Sequence, residues 1–164
     1  MSETGTGTAL PARARAVARA LAEAGVPGRI RTLPAAVRTA AAAAEALGCE
    51  TGAIANSLVF LGDGRPLLVM TSGRHRVDTA ALAARLGLSV IERADPDQVR
   101  AATGQPIGGV APVGHPAPLR TVVDTALADY PEIWAAGGHP STVFPTTYEE
   151  LVRLTGGEPH PVHA

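Results

Sequence analysis

Between Ala53 and Thr71 the sequence reads as a β-hairpin. Residues Ala53 to Leu61 alternate in polarity, Gly62-Asp63-Gly64 supplies turn chemistry, and Pro66 to Thr71 returns as a second apolar run. An alternating segment and an apolar run joined by such a turn are a short-range signal for paired antiparallel strands. An isolated hairpin is marginal in water, so this one calls for further strands and a helical layer around it. It is placed at the centre of the sheet.

The flanking segments supply both. Leu10 to Ala24 sets Val17, Leu21 and Ala24 on one helical stripe, with Arg13, Arg15 and Arg19 elsewhere, and Gly25 and Pro27 end the pattern. Arg29 to Leu33 is a short strand closed by Pro34, and Thr39 to Leu47 is an alanine-rich helix stopped by Gly48. Asp78 and Asp95 are N-cap residues for helices to Leu86 and Ala102, with a strand at Leu88 to Ile91 between them. Arg120–Ala126, Glu132–Ala136 and Thr142–Phe144 are late strands, and Thr147 to Leu154 is a last helix before Gly156-Gly157. This order predicts an α/β fold: a single domain with a curved, mixed but mainly antiparallel sheet and surrounding helices. Residues 1–9 are read as a disordered N-terminal tail, residues 10–157 as the domain and residues 158–164 as a flexible C-terminal tail.

A chain of 164 residues suits one domain. Aromatic residues make up only 3%, so the core and any pocket must be aliphatic, and base stacking on aromatic platforms is disfavoured. The formal charge of −1, with arginine as the only basic residue besides histidine, excludes a strongly basic nucleic-acid binder. DNA is not an expected partner. The arginines between Arg13 and Arg31 allow a local basic face or simply a solvated helix. The start lacks a signal-peptide pattern, no apolar stretch reaches ~18 residues, and Cys49 is the only cysteine, so a cytoplasmic protein with no membrane partner is expected.

Chemistry concentrates in loops. Gly108-Gly109-Val110-Ala111-Pro112-Val113-Gly114-His115 lies between apolar, strand-like segments. Glycines permit close approach and Pro112 fixes one φ, so the loop is either a tight turn or a cradle of N–H donors aimed at an oxygen. His115 is a general base or a loop anchor. In the first hairpin strand Asn56 is the lone polar group in the row Ile54, Asn56, Leu58, Phe60; it either bonds neighbouring backbone or faces a polar cavity. Arg74-His75-Arg76 forms a basic cluster that either holds phosphate or is a solvated loop. No Ser-His-Asp set, no HxxxH or CxxC spacing and no phosphate-loop or dinucleotide motif is present, so neither a metal nor a cofactor is expected.

Taken together, Ile54 to Phe60, Ser72 to Asp78, Ile107 to His115 and Trp134 to Ser141 resemble the YbaK/ProX family of aminoacyl-tRNA deacylases, which also occurs as the editing insertion of bacterial prolyl-tRNA synthetases. The resemblance runs from about Ala14 to Gly156. It implies that the Gly108–Pro112 amides polarise the aminoacyl ester while a ribose hydroxyl of the substrate activates water. It implies that Gly137, Gly138 and Ser141 border the pocket beside His139; Ser57 joins the expected binding set, and Phe60, Val69 and Met70 are expected wall residues of the pocket. Relatives commonly carry a lysine at position 56, associated with the 3′-terminal adenosine and its phosphate; here Asn56 takes that place, and either it suits a different substrate preference or Arg74 and Arg76 supply the charge. The implied activity is hydrolysis, in trans, of a small amino acid from mischarged tRNA, with tRNA-Pro a candidate and a synthetase or elongation factor a candidate helper. The alternative is a non-catalytic nucleotide or aminoacyl-tRNA binding module of the same fold.

Overall fold

The computed structural model describes residues 10–26, 29–34, 39–105 and 108–163. The expected N-terminal tail, residues 1–9, lies outside them, as does Ile107 of the glycine loop. In order, the elements are α1 (Ala12–Glu23), β1 (Arg31–Thr32), α2 (Ala40–Leu47), β2 (Ile54–Gly62), β3 (Arg65–Ser72), α3 (Thr79–Leu86), β4 (Ile91–Arg93), α4 (Pro96–Thr103), β5 (Arg120–Asp124), β6 (Ile133–Ala136), β7 (Thr142–Thr146), α5 (Tyr148–Thr155) and β8 (Glu158–His160). Short 3-10 turns precede β2 and follow β5. Among the described residues no helix is long and apolar enough to cross a membrane.

The hairpin is the spine of the molecule. Gly62 pairs with Arg65, which leaves Asp63-Gly64 as a two-residue turn, and both have positive φ, 49° and 83°. That is the geometry a hairpin with right-handed strand twist demands. The Asp63 carboxylate then accepts the Val90 N–H at 2.9 Å and fastens the approach to β4. Side-chain caps start the helices where the sequence places them: Asp78 accepts the Ala81 N–H at 3.0 Å, Asp95 forms a capping box with Gln98, and Thr147 accepts the Glu150 N–H at 3.1 Å.

Eight strands form one sheet in the order β1–β7–β6–β2–β3–β5–β8, with β4 pairing β2 off that path. Four of the seven pairings are antiparallel, among them the long hairpin pairing, so the sheet is mixed and mainly antiparallel, as expected. Both faces of its middle are covered. Leu68, Met70, Val123 and Phe144 pack with Val17 and Leu21 of α1 on one side, and Phe60, Leu67, Val69 and Val122 pack with Leu82 of α3 on the other. This double burial explains the unbroken apolar run Leu67 to Met70, each residue at most 1% exposed and each contributing about 1.5–3 kcal/mol of transfer free energy.

Three sequence expectations need correction. The strand expected to run to Ala126 stops at Asp124, whose Oδ1 accepts the Ala126 N–H at 3.0 Å and turns the chain into the 3-10 segment. The Gly108 loop is not bracketed by strands: α4 precedes it, and irregular chain leads from it to β5. The expected C-terminal tail contains β8, which pairs in parallel with β5 from Val122↔Glu158 to Asp124↔His160. Val162 beyond it is fully buried, its carbonyl accepts the Asp78 N–H at 2.7 Å, and Arg120 binds Glu158 at 2.7 Å. Ala164 lies outside the described residues.

Candidate functional site

One strand creates the site by changing partners. Along its edge away from β3, β2 pairs with β6 at Ile54–Ala55 and with β4 at Phe60–Gly62. Among the described residues, Asn56 to Val59 have no strand beside them on that edge; the Val59 carbonyl accepts the Ala94 N–H at 3.3 Å. The sheet parts there, and a cleft of about 560 Å³ occupies the opening. That volume falls within the ~300–1,000 Å³ of small-ligand pockets. Ala40 and Ala43 of α2 line it together with Leu33, Ile54, Trp134 and Val143, while Arg93, Ala94 and Val99 line it from β4 and α4. Asn56, Ser57 and the loop residues Gly108, Gly109 and Val110 complete the polar surface.

Two glycine loops interlock at the cleft. The Gly109 carbonyl accepts the Gly138 N–H at 3.0 Å, and a Cβ on Gly109, whose φ is 83°, would overlap the His139–Pro140 peptide. Only glycine tolerates both the left-handed backbone and this approach. Gly138 in turn lies against α1, where a Cβ would come within 2.8 Å of Val17 Cγ2, and its carbonyl accepts from Arg13 Nε at 3.3 Å. Thr142 closes the second loop, its Oγ1 donating to the His139 carbonyl at 2.9 Å and accepting the His139 N–H at 3.1 Å.

Gln105, which carries no motif to single it out, fixes the first loop. Its Oε1 accepts the Ala111 N–H at 2.7 Å and its Nε2 donates to the Val113 carbonyl at 3.2 Å. The side chain is 4% exposed, so both bonds are made out of water. The Ala111 amide is therefore already used. The Gly108, Gly109 and Val110 amides donate to no acceptor among the described residues, and all three residues line the cleft.

The structure thus divides the sequence-predicted residues. Asn56, Ser57, Gly108, Gly109 and Val110 line the cleft. Ala111 is fully buried beneath it, and Pro112 and His115 line a separate, shallower depression. His115 donates from Nε2 to the Ala111 carbonyl at 2.8 Å, and burial pushes its pKa below the ordinary imidazole value. This geometry is that of the loop anchor. Phe60, Val69 and Met70 are buried at 4%, 0% and 0% exposure and are core residues, not cleft walls; Met70 Sδ accepts from Ser57 Oγ at 3.3 Å. Gly137, Gly138 and Ser141 support the second loop from behind, Ser141 accepting the Leu33 N–H at 2.7 Å.

The basic cluster is also placed elsewhere. Arg74 binds Asp129 at 2.7 Å and the Tyr130 hydroxyl at 2.9 Å, contacts that hold its guanidinium pKa above the usual range, and Arg76 is exposed outside the cleft lining. His75 pairs through Nδ1 with Asp124 Oδ2 at 3.0 Å, an oxygen that also accepts the Ser72 N–H at 3.0 Å. These residues fasten the end of β3 to the end of β5. Cys49 is half-buried, and burial raises its thiol pKa, which is the opposite of what a nucleophile needs. Among the described residues no three His, Cys, Asp or Glu side chains gather as metal ligands.

The fold and the cleft define a small α/β domain with an open pocket at a parted sheet edge, lined by residues of the two glycine loops, aliphatic side chains and one arginine. The sequence places that domain in a family. Residues 34–154 match the aminoacyl-tRNA editing domain, and the chain belongs to that family. A proline–tRNA ligase of Nitratidesulfovibrio vulgaris is 33% identical over 113 residues, covering 69% of this chain but 18% of the ligase. The chain therefore spans about a fifth of the length of that relative. Among solved structures, a candidate trans-editing enzyme for prolyl-tRNA synthetase superposes with a TM-score of 0.87 at 42% identity, covering 94% of this chain and 98% of the other. A chain from work on epitope-backbone grafting onto scaffold proteins has a TM-score of 0.88 at 41% identity, covering 93% and 98%.

Proposed function

We propose that this chain is an aminoacyl-tRNA deacylase acting in trans, removing a small amino acid from a mischarged tRNA. The observation that carries the reading is the pairing of an aliphatic cleft with the Gly109 and Val110 amides on its wall. Ester hydrolysis requires stabilisation of the oxyanion that develops as water adds to the carbonyl carbon, and rigid N–H donors supply it without a charged side chain. The ester C–O bond then breaks, the ribose oxygen takes a proton, and the free amino acid leaves. No histidine, carboxylate or thiol lines the cleft among the described residues, which favours activation of the water by a ribose hydroxyl of the substrate itself. The near-complete overlap with a candidate trans-editing enzyme supports action in trans.

Binding alone separates substrates differing by one methylene by only about 10–200-fold, the reason a second, hydrolytic sieve is useful for small side chains. Ala40 and Ala43 set the cleft's apolar end and are the side chains whose size would govern which amino acid enters. The test is a deacylation time course on tRNAs charged with alanine, cysteine, serine, threonine and proline. Turnover of one small amino acid well above spontaneous hydrolysis is expected; rates equal to spontaneous hydrolysis for all five would overturn the reading. The absence of an acid–base side chain from the described lining also fits a non-catalytic binding module. Calorimetric binding of an aminoacyl-adenosine analogue without any turnover would select it.

A further inference from the structure

We propose that Arg93 is the phosphate-binding residue of the cleft, gripping the phosphate of the 3′-terminal nucleotide and so fixing which way round the substrate lies. The inference rests on the deacylase reading above. Among the described residues Arg93 is the one ionisable side chain in the cleft lining. It is exposed, and its side chain forms no ion pair or hydrogen bond among the described residues. Asp95, the carboxylate nearest in sequence on its C-terminal side, caps α4 by accepting the Gln98 N–H at 2.8 Å. Other arginines are engaged: Arg74 with Asp129, Arg120 with Glu158, Arg13 with the Gly138 carbonyl, and Arg31 over the Trp134 ring at 5.2 Å.

The backbone of Arg93 is fixed. It ends β4 in register with Phe60, and the next residue donates its N–H to the Val59 carbonyl, so Arg93 stands at the β4 end of the open stretch Asn56–Val59. Asn56, which faces the same cleft, carries no charge. A guanidinium without a carboxylate partner, held at the rim of an otherwise uncharged cleft, is suited to grip phosphate oxygens in a bidentate fashion. The same cation repels the α-ammonium of an aminoacyl group. The aminoacyl end therefore turns toward Ala40, Ala43 and Trp134, and the phosphate end toward β4.

The test compares AMP with adenosine by NMR titration against the full chain. AMP is expected to bind the parent about tenfold more tightly, the worth of one charge-assisted contact. Arg93→Ala should bind the two equally, and Arg93→Lys should recover part of the preference. On charged tRNA, Arg93→Ala should raise KM with kcat little changed and flatten the log–log salt dependence by about 0.7, the value for one phosphate contact on a single strand. An AMP preference that survives in Arg93→Ala, equal binding by the parent, or binding of neither ligand would overturn the proposal. Deacylation by the parent is scored separately: turnover with no AMP preference removes Arg93 and leaves the deacylase, whereas no turnover with an Arg93-dependent preference removes the deacylase and leaves an Arg93 phosphate site.

Discussion

Replacing Gly109 with alanine isolates the contact on which the site depends. The new Cβ costs about 1–2 kcal/mol because φ is 83°, a left-handed conformation that alanine adopts poorly. It also overlaps the His139–Pro140 peptide, so the two loops must separate and the Gly138 N–H to Gly109 carbonyl bond is lost, a further ~0.5–1.5 kcal/mol. Together these come to about 1.5–3.5 kcal/mol. Gly108→Ala is the matched control: its φ is 84°, but a Cβ there meets nothing within 4 Å, so only the conformational part applies. Urea denaturation should therefore rank Gly109→Ala below Gly108→Ala by about 1 kcal/mol. Deacylation should separate them more widely, because a displacement of about 1 Å in a catalytic donor costs on the order of 100-fold. Gly109→Ala with the stability and rate of Gly108→Ala would refute the idea that the interlocked loops aim the amides.

Other outcomes follow from the same geometry. Gln105→Ala strands the buried Ala111 N–H and should lower stability by about 1–3 kcal/mol in chemical denaturation and reduce kcat more than it changes KM. Burial holds the His115 pKa below its ordinary 6.5, so as pH falls the unfolded chain takes up that proton first. The stability contributed by neutral His115 is complete above pH 6.5 and is lost as pH drops below it toward the folded pKa; His115→Gln, measured by denaturation across pH 5 to 8, should show a flatter profile while retaining deacylation. Arg74→Ala removes an exposed ion pair outside the cleft lining and should leave both melting temperature and the AMP preference unchanged.

Local chemistry made much of the fold legible. Asp63-Gly64 and the alternation around it specify the hairpin, and Asp78, Asp95 and Thr147 mark helix starts because their short side chains accept the amides that a first turn leaves over. What was illegible depends on partners distant in sequence. Period two groups Asn56 with Phe60, but it does not say that β4 covers Phe60 while Asn56 meets open space. Met70 looks like a pocket wall until α1 closes over its face of the sheet. Arg74 reads as a free cation because Asp129 lies 55 residues away. Glu158-Pro159-His160 lacks every strand signal, yet a parallel edge strand needs only main-chain groups in register, and β5 presents them. Gln105 carries no motif; its role appears only once the chain has folded back eight residues to Val113.

The parting of the sheet at Asn56–Val59 makes the length of the cleft a question of strand registry and not of side-chain size. Each residue by which β6 or β4 extended along β2 would shorten the opening by about 3.3 Å. Because β4 meets the opening with its C-terminal end, insertions and deletions between β4 and α4 are a coarse dial on what the cleft admits, and substitutions at Ala40 and Ala43 a fine one. A lineage could move between substrates by sliding a strand end while leaving the interlocked glycine loops untouched.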